Sequence, residues 1–148
     1  MNASSLCSLA TVSAGGRAHI NHMYFAWSER FEVFWISDPD SIHSGNLSRS
    51  RSAAVTIYDS HQTWGRPDRG IQLFGAARTV KGIAAKEAER VYSRRFRDFD
   101  AEGNDLPFYR FTPRQLKLFD ERSLDGGTLV TVKVTHDRLA WLRTEVWA

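Results

Sequence analysis

The stretch from Phe34 to Leu47, FWISDPDSIHSGNL, contains the change of structure that decides the fold. Its aromatic and apolar start is typical of a strand. The turn-forming residues 37–40 end that strand, because proline has no N–H to donate and aspartate favours turns. Ser41 stands where a helix N-cap is expected, ahead of a short helical segment that carries His43 and Asn46. The stretch therefore predicts a strand, a tight turn and a short helix.

This turn has a functional and a structural interpretation. A helix N-terminus presents free backbone N–H groups, and the helix dipole adds about half a positive charge there. Ser41 and His43 would place a hydroxyl and an imidazole beside those groups, which is the chemistry of a phosphate site for a bound cofactor. The alternative is an ordinary helix cap followed by a surface histidine. These residues alone do not separate the two interpretations.

The size and composition of the chain are those of an ordinary globular protein. Its 148 residues predict one domain, residues 1–148, with a core of its own. A net charge of +3 suits an anionic small ligand and is too weak to require nucleic acid. We therefore expect a small-molecule substrate and no nucleic acid, with the basic segment 48–52 as solvated surface.

Cysteine usage and hydropathy set expectations for the compartment. Cys7 is the single cysteine of the sequence, so no internal disulfide can form. The first residues lack the basic start and apolar run of a signal peptide, and no stretch is long and apolar enough to cross a bilayer. We expect a cytoplasmic protein without membrane contact. No spacing of histidines and cysteines predicts a metal site.

The rest of the chain reads mainly as short strands. A long helix is predicted over Ile83–Phe99, where apolar residues recur at three- and four-residue spacing. Gly75 inside a predicted strand indicates a bulge or a close approach of another group. Many short strands with two helices favour a mainly β fold, a closed or nearly closed antiparallel β-barrel, with a sandwich as the alternative. The predicted strands are Leu6–Ser13, Ala18–Trp27, Phe31–Ser37, Ala53–Tyr58, Gly70–Val80, Pro107–Thr112, Gln115–Phe119, Leu129–Val134 and Leu139–Val146.

The order of these signals resembles that of a known family. The pattern runs from about Leu9 to Val80 and consists of His19-Ile-Asn21, Tyr24-Phe25-Ala26, Trp35-Ile-Ser37, Ser41-x-His43, Asn46-Leu47, Ala54-Val55, Ile57-Tyr58-Asp59 and Arg69-Gly70-Ile71-Gln72-Leu73-Phe74-Gly75. It resembles the pyridoxamine 5′-phosphate oxidase-like family, the FMN-binding split β-barrels. The later segments 92–96, 108–111 and 116–120 are similar to the small, uncharacterised members of that family.

The resemblance implies a fold, a cofactor and a partner. It implies a split β-barrel with Greek-key antiparallel strands, and a homodimer with FMN sites at the interface between the subunits. Residues 35–37 would lie beside the flavin, Ser41 and His43 at its phosphate, and Gln72 on a strand brought by the other subunit. The full set of cofactor-binding residues that the resemblance implies is Asn21, Trp35, Ile36, Ser37, Ser41, His43, Asn46 and Gln72.

The sequence departs from the family pattern at positions that bear on the reaction. His43 stands where the family has a phosphate-binding lysine, and an imidazole with an ordinary pKa of about 6.5 is largely neutral at pH 7. FMN binding is therefore expected to be weaker and to depend on pH. The C-terminal arginine and histidine that hold pyridoxal phosphate in the oxidase are not recognisable here. We therefore do not predict the oxidation of pyridoxamine phosphate.

Three functions are compatible with the sequence. The first is a flavin-dependent oxidoreductase on a small molecule, in which the protein positions and shields the flavin, or the deazaflavin F420 in the same cleft. No general acid or base can be assigned for it. The second is a non-catalytic carrier or sensor of flavin or haem, with candidate haem ligands His19, His22, His43 and His61. The third is a nucleic-acid binder, which rests on Arg49, Arg51 and mild basicity.

Overall fold

The computed structural model of the chain describes residues 1–136 and 138–147. The predicted domain 1–148 also includes Asp137 and Ala148, which lie outside the described residues, and the domain count stays a prediction. Antiparallel strands dominate the fold, as the sequence predicts. In chain order the elements are β1 (Leu6–Val12), β2 (Ala18–Tyr24), β3 (Ala26–Trp27), β4 (Val33–Ile36), α1 (Ile42–Arg49), β5 (Ser52–Tyr58), β6 (Arg69–Thr79), α2 (Ile83–Arg95), β7 (Phe108–Asp120), β8 (Thr128–Val134) and β9 (Leu139–Val146).

One antiparallel sheet curls into a split β-barrel. The strand order is β2-β1-β5-β6-β7-β4-β3, and β8 and β9 branch from the far half of β7. The two strands at opposite ends of that order, β2 and β3, are separated in sequence by Phe25 alone. The chain itself therefore joins the two edges of the sheet. This arrangement confirms the predicted fold class and excludes the sandwich.

The prediction of one strand over Ala18–Trp27 is wrong, because the segment forms the two strands β2 and β3. Its first part pairs with β1, where Tyr24 lies opposite Leu6, and its last part pairs with β4, where Ala26 lies opposite Phe34. The alternation of the sequence continues through the break, so the pattern gives no sign of it. The segment divides into two strands because its two parts pair with different strands, and this change of partner follows from the closure of the barrel.

Side chains that alternate along the strands fill the barrel. Leu9, Phe25 and Leu73 are fully buried in this cluster, together with Trp35 of β4. The opposite face of β4 is also covered, because Phe34 packs in a second cluster under α2. A strand that is buried on both faces needs apolar residues throughout, which explains the unbroken apolar sequence of β4.

The structure replaces two predicted strands, Pro107–Thr112 and Gln115–Phe119, by the single strand β7. Pro113 does not end the strand, because the ladder with β6 shifts by one residue at that point. Such a bulge tolerates proline. A Cβ on Gly75 would lie 2.2 Å from the carbonyl oxygen of Thr112, so glycine permits the close approach. The bulge predicted at Gly75 is confirmed.

Helix α2 is shorter than predicted. It ends at Arg95, and the N–H of Phe96 donates to the carbonyl of Tyr92 as the chain turns away. The rings of Phe96 and Phe99 lie 4.7 and 5.2 Å from that of Tyr92, between centroids. Phe96 and Phe99 continue the apolar spacing of the helix in the sequence, but they lie beyond its end and pack back on Tyr92. Within the described residues, neither helix is long and apolar enough to span a membrane.

Candidate functional site

The turn between β4 and α1 brings together three of the predicted site residues. Ser37 Oγ lies 2.7 Å from His43 Nε2, and Ser41 Oγ lies 3.2 Å from the same nitrogen. The two hydroxyl oxygens are 3.4 Å apart. Which atom donates at Nε2 depends on the imidazole tautomer. Two hydroxyls and one imidazole nitrogen therefore converge at the start of α1, and we call Ser37, Ser41 and His43 the hydroxyl–imidazole cluster.

The side chains of the turn itself shape it. The N–H of Asp40 donates to the Asp38 carboxylate at 2.8 Å, and the N–H of Ser41 donates to the Asp38 carbonyl at 3.2 Å. Ser41 Oγ accepts a hydrogen bond from the N–H of Ser44, which confirms the predicted N-cap. The backbone N–H groups at the start of the helix, on Ile42 and His43, have no intrahelical acceptor, as at any helix start.

His43 is a neutral donor or acceptor in this setting. Its side chain is buried, with 6% of the residue exposed. Burial, and to a lesser extent the nearby His19, lowers the pKa of His43 below its ordinary value of 6.5. The His19 Nδ1 atom is itself buried without a hydrogen-bond partner in the described part of the chain. A phosphate dianion beside His43 would act in the opposite direction and favour the charged imidazole.

Asn46 and Asn21 lie on the barrel side of the structure. Asn46 is buried, and its Nδ2 donates to Thr11 Oγ1 at 3.0 Å. This bond ties α1 to β1. Asn21 is half-buried on the inward face of β2, opposite Leu9 in the ladder. Neither placement tests a cofactor contact, so the predicted roles of both asparagines stay predictions.

The side chain of Trp35 faces the core. It is fully buried and stacks on Tyr109, with 5.5 Å between ring centroids. Its indole nitrogen has no hydrogen-bond partner within residues 1–136 and 138–147. Only the main chain of Trp35 can therefore line a cofactor. The neighbouring Ile36 is half-buried and packs against the cluster under α2.

Gln72 is on the outer face of the sheet, apart from the hydroxyl–imidazole cluster. It lies opposite Thr56 of β5 and Lys117 of β7, while its neighbours Ile71 and Leu73 pack into the barrel. One chain therefore does not bring Gln72 to the β4–α1 turn. A contribution from a second subunit, which the resemblance implies, is compatible with this placement and stays a prediction.

Large apolar side chains are exposed on the same outer face. Ile20 is 64% exposed and Tyr24 59%, and Phe74 is also exposed. The ladder places Ile20, Ala10, Ala54 and Phe74 side by side across four strands, with alanines in the middle. Apolar patches of this kind are typical of interaction surfaces. Sequence analysis missed the patch, because its residues come from segments far apart in the chain.

Two other residues of the site region were missed as well. Ser44 Oγ accepts a hydrogen bond from Ser41 Oγ at 2.8 Å, and Thr11 holds Asn46. The spacing of Ser41 and Ser44 is a capping pattern that could have shown the first contact. Thr11 carries no local signal, because its partner is 35 residues away.

The other reactive groups that the structure describes bear on metal ligation and thiol chemistry. In the described part of the chain, no three His, Cys, Asp or Glu side chains are grouped as metal ligands. Burial raises the pKa of the Cys7 thiol to about 12, so this cysteine stays protonated and unreactive.

The family of the chain follows from its match to a known protein family. The profile of the pyridoxamine 5′-phosphate oxidase family matches residues 1–120, which include the barrel through β7 and the β4–α1 turn. The chain belongs to this family. No curated protein sequence matches the chain significantly.

Solved structures with the same fold include proteins of different description. A conserved hypothetical protein from Mycobacterium tuberculosis is 21% identical, with 82% of this chain and 80% of that chain covered and a TM-score of 0.68. A pyridoxamine 5′-phosphate oxidase-related, FMN-binding protein from Nostoc punctiforme is 11% identical, with coverages of 97% and 87% and a TM-score of 0.67. A haem-binding protein from Mycobacterium smegmatis is 12% identical, with coverages of 95% and 53% and a TM-score of 0.65. At these identities the likeness shows the fold alone.

Proposed function

We propose that the chain binds FMN through the β4–α1 turn and acts as a flavin-dependent oxidoreductase on a small molecule. The observation that carries this proposal is the convergence of Ser37, Ser41 and His43 at the start of α1. Membership of the pyridoxamine 5′-phosphate oxidase family and the FMN-binding relative with the same fold support it.

The chemistry of the turn suits the phosphate end of FMN. Serine hydroxyls and the free backbone N–H groups of a helix start donate to phosphate oxygens, and the helix dipole favours the negative charge. Bound FMN would supply the hydride exchange. The protein's own part is to hold the phosphate at Ser41 and His43, and to keep β4 rigid behind the site through the buried Trp35.

A titration with FMN and riboflavin tests this proposal, because riboflavin lacks the phosphate. His43→Ala removes one hydrogen bond to a charged group, so we expect FMN affinity to fall by about tenfold or more while riboflavin affinity stays unchanged. His61→Ala is the matched control, because the His61 side chain is 90% exposed and lies on the β5–β6 loop. Equal losses for FMN and riboflavin would show that His43 does not contact the phosphate.

We propose that the functional unit is a homodimer with the cofactor between subunits, and that the outer face of the sheet is the contact. The exposed Ile20 and Phe74, and Gln72 on the same face, support this. Light scattering after gel filtration should give a dimer, and the double variant Ile20→Glu, Phe74→Glu should give a monomer with weaker FMN binding. Ile83→Glu, at an exposed position on α2, is the control. A wild-type monomer at micromolar concentration would contradict the proposal.

Haem binding without turnover is the second candidate, favoured by the haem-binding relative with this fold. His22 is an exposed histidine on β2, hydrogen-bonded through Nδ1 to Ser8 at 2.9 Å, and could offer its other nitrogen to iron. Oxidised flavin absorbs in the blue and near ultraviolet, whereas haem gives one Soret band. A Soret shift with added haem that is lost in His22→Ala would establish this alternative. Binding of FMN, or of F420 in the same titration, with no haem shift would reject it.

A further inference from the structure

A group of arginines lies outside the β4–α1 turn. A cavity of about 590 Å³ separates α2 from the turn of residues 28–32. This volume is within the range of small-molecule sites. Trp27, Val91 and Ala26 give the cavity an apolar part. Its charged lining residues are Arg30, Arg90, Arg94, Arg95, Glu29, Glu32 and Glu87, and we call this space the arginine cavity.

The glutamates of the lining form no ion pair with the arginines of α2 in the described part of the chain. Glu32 is already engaged, because it lies 3.6 Å from Arg110 outside the cavity and accepts a hydrogen bond from Ser28 Oγ. No carboxylate oxygen of a described residue lies within 4.0 Å of the guanidinium nitrogens of Arg90, Arg94 or Arg95. Four arginines and three glutamates line the cavity, so its formal charge is positive, and Arg90, Arg94 and Arg95 are without an ion-pair partner among the described residues.

Arg95, a lining residue of the cavity, packs against aromatic rings. Its guanidinium carbon lies 4.2 Å from the ring centroid of Trp27 and 4.5 Å from that of Phe25. Its Nη2 donates to the carbonyl of Ser4, and its Nη1 is buried without an acceptor in the described part of the chain. Stacking on two aromatic rings fixes the position of the positive charge.

The C-terminus of α2 does not by itself explain this arrangement. Basic residues in the last turn of a helix interact favourably with its dipole, and Arg94 and Arg95 occupy that turn. The dipole would be served equally well by solvated side chains. It gives no reason to bury the Arg95 guanidinium with an unmatched donor, which costs free energy. Burial also lowers the pKa of Arg95, which shows the same desolvation.

We propose that the arginine cavity binds a small polyanion, a molecule with at least two phosphate or carboxylate groups. Arg90 and Arg94 are one helical turn apart and therefore project from the same side of α2. Their guanidinium groups match the geometry of phosphate and carboxylate oxygens, and Arg30 faces them from the turn. This site is separate from the proposed FMN site and does not depend on it.

Titration calorimetry on the full chain at fixed ionic strength tests the proposal. One arm uses sodium pyrophosphate and the other sodium citrate, so the better-bound probe identifies phosphate or carboxylate as the preferred group. We expect one binding site, with affinity about tenfold weaker in each of Arg90→Gln and Arg94→Gln. The double variant should lose binding. Both residues are exposed, so thermal unfolding of the variants should match that of the wild type.

Two controls separate the cavity from other anion sites. Arg97→Gln removes an exposed arginine just beyond α2 that does not line the cavity, and should leave binding unchanged. His43→Ala should also leave it unchanged, whether or not the chain binds FMN. No binding in either arm would overturn the proposal, as would an equal loss in Arg97→Gln. Loss in His43→Ala with retention in the double variant would place the anion at the β4–α1 turn and overturn it too.

Discussion

The hydroxyl–imidazole cluster and the arginine cavity both offer hydrogen-bond donors to an anion, but they are built differently. In the cluster, neutral groups satisfy one another over distances of 2.7–3.4 Å. In the cavity, Arg90 and Arg94 are exposed and have no carboxylate partner among the described residues. The cluster is anchored to the core on both sides, by Trp35 of β4 and by Asn46 of α1. Substitutions around the cluster should therefore change stability as well as binding, whereas substitution of Arg90 or Arg94 should change binding alone.

The largest effect is expected for Trp35→Ala. Trp35 is fully buried and stacks on Tyr109, so its removal should lower the free energy of unfolding by about 3–5 kcal/mol. Urea denaturation measures this loss. Trp64→Ala is the control, since Trp64 is 100% exposed and should cost less than about 0.5 kcal/mol. If the two substitutions cost the same, the site is not anchored through β4.

Asn46→Ala is expected to have the next largest effect. It leaves the buried Thr11 hydroxyl without its partner and should cost about 1–3 kcal/mol of unfolding free energy. A double-mutant cycle with Thr11→Ala should show a coupling between the two residues. Additive losses would contradict the anchoring role. Weaker FMN binding at unchanged stability would instead support the predicted cofactor contact of Asn46.

The pH dependence should be smaller and should depend on His43. Because burial lowers the pKa of folded His43 below 6.5, the unfolded chain binds the proton more readily. The His43 contribution to stability is therefore fully present above pH 6.5 and is lost as the pH falls through the lowered folded value. Thermal denaturation at a series of pH values should show this loss in the wild type and in His61→Gln. If His43→Gln shows the same acid loss, another group is responsible.

FMN affinity should change with pH in the opposite direction. A bound phosphate favours the charged form of His43, so affinity should rise as the pH falls from 8 until the phosphate itself takes up a proton near pH of about 6. Fluorescence quenching of FMN measures this affinity. A flat profile in the wild type would mean that His43 does not change its charge on binding.

The smallest effect on stability is expected for Arg90→Gln and Arg94→Gln. Both side chains are exposed and unpaired, so each change should stay within about 0.5 kcal/mol of the wild-type unfolding free energy. The same urea denaturation measures it, with Arg97→Gln as the reference. A loss comparable to that of Asn46→Ala would show that these arginines hold α2 in place, and would remove the difference between the two regions.

Local sequence patterns were sufficient for most of the elements. The Ser41 cap and the Gly75 bulge each have a local signal, a serine before a helix and a glycine within a strand, and the structure confirms both. The break at Phe25 and the continuity of β7 through Pro113 depend on which strands lie alongside, so alternation and breaker residues could not show them. Periodicity also left barrel and sandwich open, and the family resemblance indicated the barrel.

The two sites also differ in whether their residues are close together or far apart in the sequence. Ser37, Ser41 and His43 lie within seven consecutive residues, so a turn followed by a helix start was enough to group them. The arginine cavity unites the N-terminal segment, the β3–β4 turn and α2, and Arg95 contacts Ser4 across 91 residues. No local pattern in the sequence indicates that these segments are close in space. The arginines of α2 have the spacing of an ordinary polar helix face.

The link through Phe25 has a consequence for the integrity of the molecule. Strands β2 and β3 are the two ends of the strand order, and the buried Phe25 is the one residue that connects them along the chain. A proteolytic nick or new chain termini at that residue would release two unprotected strand edges, which are templates for pairing with other chains. We therefore expect a backbone cut at this junction to promote aggregation, which light scattering of a protein opened at Phe25 would measure.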